Sequence, residues 1–337
     1  MHIAVVGATG AVGQEMCSIL AQRRVPSDCL RLLASARSAG TRVPYAGTDL
    51  TVRELTKDAL AGVDFALFSA GADTTRAFAK PAAANGTVII DNSSAFRMDP
   101  DVPLVIPEVN PQDAHEHHGL IANPNCSTII MAVAVWPLHR VNPVRRIIVS
   151  TYQAVSGAGA AAMQELRDQT RRVLDDQPVK PEVLLHQSAF NVFSHDSPID
   201  ESGYNTEERK MVNETHKMFH DDAIRITATC VRVPVLRAHS ESINLTFEQP
   251  IREQEVRDIL EAAPGVRVVD DRAGNCFPMS IEAAGQDEVL VGRIRQDCSD
   301  PSGCGIALFV CGDQLRKGAA LNAIQILDLL TRRQAFS

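Results

Sequence analysis

The 337-residue sequence has no apolar run long enough to cross a membrane as a helix. Such a helix needs about 20 consecutive apolar residues, and the longest runs here reach roughly half of that. The opening residues, MHIAVVGATG, lack the basic stretch, apolar stretch and cleavage site of a signal peptide. These absences predict a cytoplasmic protein that does not bind a membrane.

The sequence also has no excess of basic residues. It contains 33 Lys and Arg against 41 Asp and Glu, which gives a formal net charge of −8 at pH 7. Proteins that bind nucleic acid or an anionic membrane select for a basic face, so we expect neither partner. A small anionic ligand stays possible, because a few local Arg and Lys residues can hold it.

A disulfide or zinc framework is missing as well. The eight cysteines are scattered without regular spacing: Cys17, Cys29, Cys126, Cys230, Cys276, Cys298, Cys304 and Cys311. We expect reduced thiols, and the five residues between Cys298 and Cys304 do not match a zinc site. The cluster HEHH at 115–118 is interpreted as a solvated polar loop, so no metal is predicted.

The length of the chain and a change in its pattern of predicted strands and helices indicate two domains. In residues 1–125, short apolar strands alternate with helices, which indicates a parallel sheet covered on both faces. Residues 126–314 contain longer strands rich in Ile, Val and Thr, which favours an α+β domain with a mixed sheet. The amphipathic segment 315–337 is expected to be a helix that joins the first domain.

The stretch VVGATGAVG lies between the first predicted strand and helix, with Gly7, Gly10 and Gly13 in the spacing GxxGxxG. Glycines let the backbone approach a pyrophosphate, and the helix N-terminus supplies free N–H groups. This context predicts a Rossmann-type dinucleotide site, although the same pattern also occurs in a glycine-rich turn without ligand.

The end of the second strand indicates which dinucleotide binds. An NAD site usually carries Asp or Glu there, about 20 residues after the glycines, to accept from the ribose hydroxyl. This chain instead reads LLASARSAG, with Ser35, Arg37 and Ser38. An arginine between hydroxyl groups suits a ribose phosphate, so NADP is predicted. The alternative is that Arg37 is a solvated loop residue.

Cys126 stands out in ANPNCSTIIMAVAVWPL, because it follows a Pro-Asn turn and precedes a buried helix that we expect to end near Pro137. Free N–H groups at a helix N-terminus stabilise a thiolate and can receive an oxyanion. A nucleophilic cysteine beside a nicotinamide implies thioester chemistry on an aldehyde or activated acid. His239 in CVRVPVLRAHSES is the candidate proton shuttle. The alternative is that Cys126 is simply a small buried residue.

Two other classes that share the glycine pattern can be compared. A short-chain dehydrogenase needs Tyr and Lys four residues apart, and Tyr45, Tyr152 and Tyr204 are followed at that distance by Asp, Ser and Glu. A non-catalytic NADP sensor would need neither Cys126 nor His239. Both classes are disfavoured, and the sensor is kept as the alternative that is not an enzyme.

Ten segments, in order, resemble the aspartate-β-semialdehyde dehydrogenase family: GATGAVG, SARSAG, IDNSSAFRMD, VPLVIPEVN, NPNCST, YQAVSGAG, AFNV, EERKMVNET, CVRVPVLRAHSESI and LRKGAA. The resemblance covers residues 1 to about 330. It implies an NADP-binding Rossmann domain and an α+β catalytic and dimerisation domain like the C-terminal domain of glyceraldehyde-3-phosphate dehydrogenase. It also implies a homodimer that converts L-aspartyl-4-phosphate to the semialdehyde with NADPH, releasing phosphate, which is the co-substrate of the reverse reaction.

The resemblance further implies roles for individual residues. Cys126 is then the nucleophile, with Asn125 beside its thiol. His239 is the acid and base, and Gln153 orients the acyl intermediate. The implied substrate ligands are Arg232 for the carboxylate, Glu208 for the ammonium, and Arg97 with Lys210 for phosphate. The implied cofactor-binding residues are Gly7, Ala8, Thr9, Gly10, Ala11, Val12, Gly13, Ser35, Arg37, Ser38, Ser69, Ala70, Gly71, Ser156, Gly157 and Gln314.

One position departs from the pattern, and one related family remains as the alternative. Many relatives read DNLRKGAA, whereas this chain reads GDQLRKGAA, with Gln314 in place of Asn. The longer amide could still reach the carboxamide of a nicotinamide. N-acetyl-γ-glutamyl-phosphate reductase shares the cofactor and the thioester chemistry, but an acid at Glu208 suits a free ammonium better than an acetamide.

Overall fold

The computed structural model describes residues 1–331, which form two compact units. The first unit consists of Met1–Asn125 and the segment that begins at Ala319, and the second is Cys126–Gly318. Across residues 1–331, no helix is both long and apolar enough to cross a membrane.

The first unit alternates strands and helices along most of its length. Its elements are β1 (Ile3–Val6), α1 (Ala11–Gln22), β2 (Leu30–Ala34), β3 (Arg42–Tyr45), β4 (Thr48–Thr51), β5 (Arg53–Glu54), β6 (Phe65–Phe68), α2 (Ala72–Ala84), β7 (Val88–Asp91) and β8 (Leu120–Ala122). Six strands form a parallel sheet in the order β5-β2-β1-β6-β7-β8, and β3 pairs with β4 in a separate hairpin. The predicted parallel sheet is confirmed.

The strand order creates the place for a ligand. The chain passes from β2 on one side of β1 to β6 on the other side. In open parallel sheets, such a reversal leaves a crevice outside the carboxyl ends of the two strands, where ligands bind. Every residue of Ile3–Val6 is fully buried, so the strand that leads into the crevice is fixed by the core.

The second unit is built on a seven-stranded mixed sheet. Its elements are α3 (Cys126–Val141), β9 (Val144–Gln153), α4 (Ala160–Leu174), β10 (Phe193–Ser194), α5 (Thr206–Phe219), β11 (Arg225–Arg232), β12 (His239–Phe247), α6 (Glu253–Glu261), β13 (Val266–Val268), α7 (Ser280–Ala283), β14 (Val289–Gln296) and β15 (Gly305–Gly312). The sheet order is β10-β11-β9-β12-β15-β14-β13, with β9 parallel to β11 and antiparallel to β12. The predicted α+β architecture is therefore confirmed.

Helix α3 corrects the expectation that the helix ends near Pro137. The helix continues to Val141 with Pro137 inside it. Proline removes one backbone hydrogen bond, but its fixed φ is compatible with a helix. Leu138 is fully buried, and burying this side chain stabilises the turn that follows the proline.

The C-terminal segment differs from the continuous helix that its amphipathic pattern predicts. Arg316–Ala320 forms a π-helical turn, and α8 (Leu321–Thr331) follows it. Leu321, Ile324 and Leu327 of α8 are buried in the core of the first unit. Residues 332–337 of the predicted helix lie outside the described residues.

Candidate active site

The glycine-rich loop of the first unit lies between β1 and α1, as the sequence predicts. Gly7 has φ +87°, and a Cβ atom on it would lie 2.4 Å from the Ser69 carbonyl oxygen. A Cβ on Gly13 would lie 2.2 Å from the Gly7 carbonyl oxygen. Only glycine fits these approaches, which bring the loops after β1 and β6 together and leave the N-terminus of α1 accessible at Gly10.

Eight of the predicted cofactor residues of the first unit line one cavity of about 540 Å³. The carboxyl ends of β1, β2 and β6 lead into it. Arg37 supplies positive charge, and among the described residues no carboxylate lines the cavity. The lining residues are Val6, Gly7, Thr9, Gly10, Ala34, Ser35, Arg37, Ser38, Leu55, Ser69, Ala70, Thr74 and Phe78. This lining fits a dinucleotide whose ribose carries a phosphate.

The other residues of these loops that were named from the sequence do not line the cavity but are neighbours in the chain of residues that do. Ala8 is fully buried behind the loop, and Ala11 and Val12 open helix α1. Gly71 has φ +83° and is the N-cap residue of α2, directly after Ser69 and Ala70. Ser156, Gly157 and Gln314 belong to the second unit.

Cys126 is the first residue of helix α3, where the sequence predicts a nucleophile. Its Sγ atom lies 3.5 Å from Nε2 of His239. The other ring nitrogen, Nδ1, accepts a hydrogen bond from the backbone N–H of Ala154 over 3.0 Å. Because Nδ1 is an acceptor, the proton of the neutral ring is assigned to Nε2, which faces the sulfur.

Burial keeps the imidazole neutral. His239 has no exposed surface, and this burial, together with the nearby charges of Arg232 and His195, lowers the pKa of His239 to about 3, while Glu207 opposes the shift. His239 therefore faces Cys126 as an uncharged proton donor.

Sheet register brings the other predicted groups to the same edge. Gln153 ends β9, Arg232 ends the parallel strand β11 directly opposite, and His239 begins the antiparallel strand β12. A Cβ on Gly157 would lie 3.1 Å from Nη1 of Arg232 and 3.6 Å from Nε2 of His239, so glycine gives these two side chains their room. Gly318 approaches Cys126 in the same way, since its Cβ would lie 3.0 Å from the cysteine Cβ.

Two buried polar atoms at this edge have no hydrogen-bond partner among residues 1–331. They are Oε1 of Gln153 and Nε of Arg232. The remaining groups of both side chains are engaged, because Gln153 Nε2 donates to Ser127 Oγ over 2.9 Å and Arg232 Nη2 donates to Asp196 Oδ1 over 3.4 Å. Buried polar groups are normally paired, so an acceptor and a guanidinium donor left open indicate a ligand site.

The two glutamates of EERK, Glu207 and Glu208, have different environments in the structure. Glu207 faces the site, whereas the predicted residue, Glu208, does not. Both oxygens of Glu208 accept backbone hydrogen bonds, Oε2 from Asn205 over 2.9 Å and Oε1 from Cys230 over 3.0 Å. Glu208 is thus the capping residue of α5 and is buried, so the expectation that it faces an ammonium is not supported by its geometry. Glu208 is not an exposed helical charge either, because its side chain is buried.

Glu207 is the carboxylate that faces the site, and the sequence interpretation missed it. Its Oε1 accepts from Gln153 Nε2 over 3.1 Å, and its Oε2 accepts from Lys210 Nζ over 2.9 Å. A signal was available, because residues three apart on a helix share a face and residues two apart do not. Glu207, not Glu208, stands three residues before Lys210.

His195 and Asp196 were also missed. Asp196 pairs with Arg232, and the His195 side chain is only 10% exposed. Burial lowers the pKa of His195, the charge of Glu207 opposes that shift, and Arg232 adds to it. No spacing relates these residues to Cys126, since a loop before α5 brings them to the sheet edge.

The predicted substrate-binding and catalytic residues that belong to the first unit are Arg97 and Asn125. Arg97 is buried, and it donates from Nε to the Asn123 carbonyl and from Nη2 to the Asn92 carbonyl, each over 2.9 Å. It therefore holds together the segments that follow β7 and β8. Asn125 is buried and directly precedes Cys126.

The HEHH cluster is partly helical, not a plain loop. Its first two residues end a short 3₁₀ helix, Pro111–Glu116. Within residues 1–331, no group of three or more His, Cys, Asp and Glu side chains is arranged to hold a metal ion.

Comparison with known proteins agrees with this architecture. Residues 2–117 match the family model described as semialdehyde dehydrogenase, NAD binding domain, and residues 135–317 match semialdehyde dehydrogenase, dimerisation domain. The chain is 52% identical to the aspartate-semialdehyde dehydrogenase of Synechocystis sp. over 99% of its length and 98% of that protein.

Solved structures agree as well. The crystal structure of Vibrio cholerae aspartate semialdehyde dehydrogenase II complexed with ASA has a TM-score of 0.95 at 43% identity, covering 99% of both chains. The Candida albicans aspartate semialdehyde dehydrogenase with NADP has a TM-score of 0.74 at 22% identity and covers 98% of both chains, a likeness of fold.

Proposed function

Because the chain belongs to the aspartate-semialdehyde dehydrogenase family and is thus an oxidoreductase, we propose that it reduces L-aspartyl-4-phosphate to L-aspartate-4-semialdehyde with NADPH and releases phosphate. The observation that carries the proposal is the pair formed by Cys126 Sγ and His239 Nε2, 3.5 Å apart at a helix N-terminus. The reaction serves the synthesis of lysine, threonine, methionine and diaminopimelate.

The first step is attack on the acyl phosphate by the Cys126 sulfur. The S–C bond forms, the C–O bond to phosphate breaks, and a thioester remains on the enzyme. The proposed donors to the oxyanion of the tetrahedral intermediate are backbone N–H groups of the first turn of α3. The Nε2 proton of neutral His239 stabilises negative charge on the sulfur.

The second step is reduction of the thioester, for which bound NADPH supplies the hydride. The Nε2–H of His239 donates a hydrogen bond to the oxygen of the resulting hemithioacetal anion, which collapses to the aldehyde as the Cys126 thiolate leaves. Gln153 orients the acyl group, because its Oε1 is open and its Nε2 is fixed by Ser127 and Glu207.

The substrate's charged ends are assigned to side chains of matching chemistry. Arg232 binds the carboxylate, since a guanidinium with an open Nε suits this planar group. We assign the ammonium to Glu207 in place of Glu208, because Glu207 faces Gln153. Arg97 and Lys210 are the proposed phosphate ligands.

NADP is assigned to the first unit. The proposed domain boundaries are residues 1–125 together with 315–337 for cofactor binding, and 126–314 for catalysis and dimerisation. The cavity lined by Ser35, Arg37 and Ser38 supports the choice of NADP over NAD. Gly157 and Gln314 are the proposed contacts to the nicotinamide end. We further propose a cytoplasmic homodimer, in keeping with the dimerisation-domain match.

The test is phosphate-dependent reduction of NADP⁺, with L-aspartate-4-semialdehyde and N-acetyl-L-glutamate-5-semialdehyde assayed in parallel. We expect turnover of the first substrate only, because the Glu207 carboxylate suits a free ammonium. Cys126→Ala should lower kcat by at least about 10³-fold, with NADP binding unchanged. Cys298→Ala is the matched control, since Cys298 is an exposed free thiol.

Other outcomes would redirect the proposal. Turnover of only the N-acetylated substrate would identify the alternative reductase. Absence of turnover on either substrate, with NADP still bound, would favour the sensor. Substantial activity of Cys126→Ala would rule out covalent catalysis.

A further inference from the structure

The first residue of strand β12, His239, and the two residues before it each form a hydrogen bond to another segment. Arg237 donates from Nε to Asp313 Oδ2 over 2.5 Å. The backbone N–H of Ala238 donates to Gln314 Oε1 over 2.8 Å. Nδ1 of His239 accepts a hydrogen bond from the backbone N–H of Ala154. Two adjacent residues, Asp313 and Gln314, thus hold the two residues that precede His239.

Ala238 is the unusual member of this segment. Its φ is +73°, a left-handed conformation that a side chain with a Cβ atom disfavours, and it is fully buried. Such a conformation persists only where the surroundings fix it, and it is often found at functional sites. Here the backbone N–H of Ala238 donates to Gln314, one residue before the imidazole that faces Cys126.

Asp313 gives this anchor a rigid base. The side chain is fully buried, and its Oδ1 accepts from the backbone N–H groups of Leu315 and Arg316 over 2.9 and 3.1 Å. Its Oδ2 also accepts from the Gly285 N–H over 2.5 Å. These bonds fix the start of the π-helical turn, so the neighbouring Gln314 side chain projects from a defined backbone.

Gln314 connects both segments that border the imidazole. Its side chain is 2% exposed, and its Nε2 donates to Ser156 Oγ while its Oε1 is used by Ala238. Ser156 directly precedes Gly157, the glycine that borders Nε2 of His239. The amide therefore joins the turn before His239 to the loop beside it.

We propose that Gln314 is a positioning residue, supported by Asp313, that holds Ala238 in its left-handed conformation and thereby keeps Nε2 of His239 against Cys126. This deepens the proposed function, because it rests on the Cys126 and His239 pair. It also differs from a contact between Gln314 and nicotinamide, since the positioning acts without cofactor.

The test measures alkylation of Cys126 in the cofactor-free, substrate-free protein, over a range of pH, for Gln314→Leu. Leucine is similar in size but cannot accept the Ala238 hydrogen bond. We expect the alkylation rate to fall roughly tenfold and its pH midpoint to rise, because Nε2 no longer faces the sulfur. Gln296→Leu, in strand β14 outside this segment, is the matched control and should react like the unmodified protein. Circular dichroism checks that each variant is folded.

A second variant, Ala238→Gly, distinguishes loss of the left-handed conformation at Ala238 from loss of packing around Gln314. Glycine adopts a positive φ without a steric cost, so Ala238→Gly alone should leave the alkylation rate nearly unchanged. Combined with Gln314→Leu, it should recover about fivefold of the lost rate, since the turn no longer needs to be held.

Three results would overturn the proposal. One is an unchanged alkylation profile in folded Gln314→Leu, with only the KM for NADP raised, which would leave a nicotinamide contact as the role. Another is a double variant as slow as Gln314→Leu. The third is Gln296→Leu losing as much as Gln314→Leu. Failure of the proposed reaction can be told apart from failure of this proposal. In that case the unmodified protein would not turn over the aldehyde, but the variants would still show the expected differences in alkylation rate.

Discussion

His239 presents Nε2 to Cys126 Sγ at 3.5 Å and carries no charge there, because its burial holds the imidazole neutral. The hydrogen bond from Ala154 to Nδ1 leaves the proton on the nitrogen that faces the sulfur. The resting site therefore holds a proton donor beside the nucleophile without an imidazolium.

This relationship fixes the pH behaviour of the histidine. Burial lowers the pKa of His239 from its ordinary 6.5 to about 3, so the ring should gain its charge only in strong acid. We expect kcat/KM to show no acid limb from His239 near its ordinary pKa. NMR titration of the imidazole, assigned by comparison with His239→Asn, checks this, and a midpoint near 6.5 would contradict it.

Substitutions of the two adjacent glutamates should have different effects, one on substrate binding and the other on stability. Glu207→Gln removes the charge opposite Lys210 and the substrate ammonium, so kcat/KM for the aldehyde should fall about 100-fold. Glu208→Gln leaves one oxygen for the two backbone N–H groups that Glu208 accepts from, so it should lower the free energy of unfolding by about 1 kcal/mol and leave KM near its original value.

Steady-state kinetics and urea unfolding of both variants make the comparison. The opposite pattern, with KM controlled by Glu208, would return the ammonium site to that residue.

Arg37 should decide the preference for NADP. Arg37→Ala should weaken NADP binding roughly 10- to 100-fold and leave NAD binding unchanged, because a charge-assisted bond to the ribose phosphate is lost. Arg42→Ala is the control, since Arg42 is exposed and pairs with Asp49. Equilibrium titration by fluorescence gives both affinities, and equal losses for NAD and NADP would exclude the role of Arg37.

Glu241 should make stability depend on pH in the direction opposite to that of most carboxylates. It lies on β12 two residues after His239, is fully buried, and has no partner for either oxygen among residues 1–331. Burial raises the pKa of Glu241 well above its ordinary 4.5. The folded protein thus keeps a proton that the unfolded chain releases, so the contribution is complete below 4.5 and is lost as pH rises towards the folded pKa.

Over that interval, the free energy of unfolding should fall by about 1.4 kcal/mol per pH unit relative to Glu241→Gln. Urea unfolding of both proteins across the neutral range measures the difference. The exposed Glu248→Gln is the control and should run parallel to the unmodified protein. Parallel curves for Glu241→Gln would show that Glu241 is already ionised in the fold.

Local features of the sequence were enough to predict much of the fold. The alternation of short apolar strands with helices predicted the parallel sheet, since strands buried on both faces are continuously apolar. The Pro-Asn turn before an apolar run predicted the start of the helix at Cys126. The same local reasoning failed at Pro137, where burial of the next turn outweighs the missing hydrogen bond.

The sequence by itself determined which chemical groups are present and which of them lie on the same helix or strand. Only the tertiary structure decided that Glu207 faces Gln153 while Glu208 caps a helix, and that Gln314 holds Ala238. The physical reason is that strand register and loop packing bring together residues far apart in the chain. Helical and strand periodicities predict only which residues share a face of one helix or strand, so they do not predict these contacts.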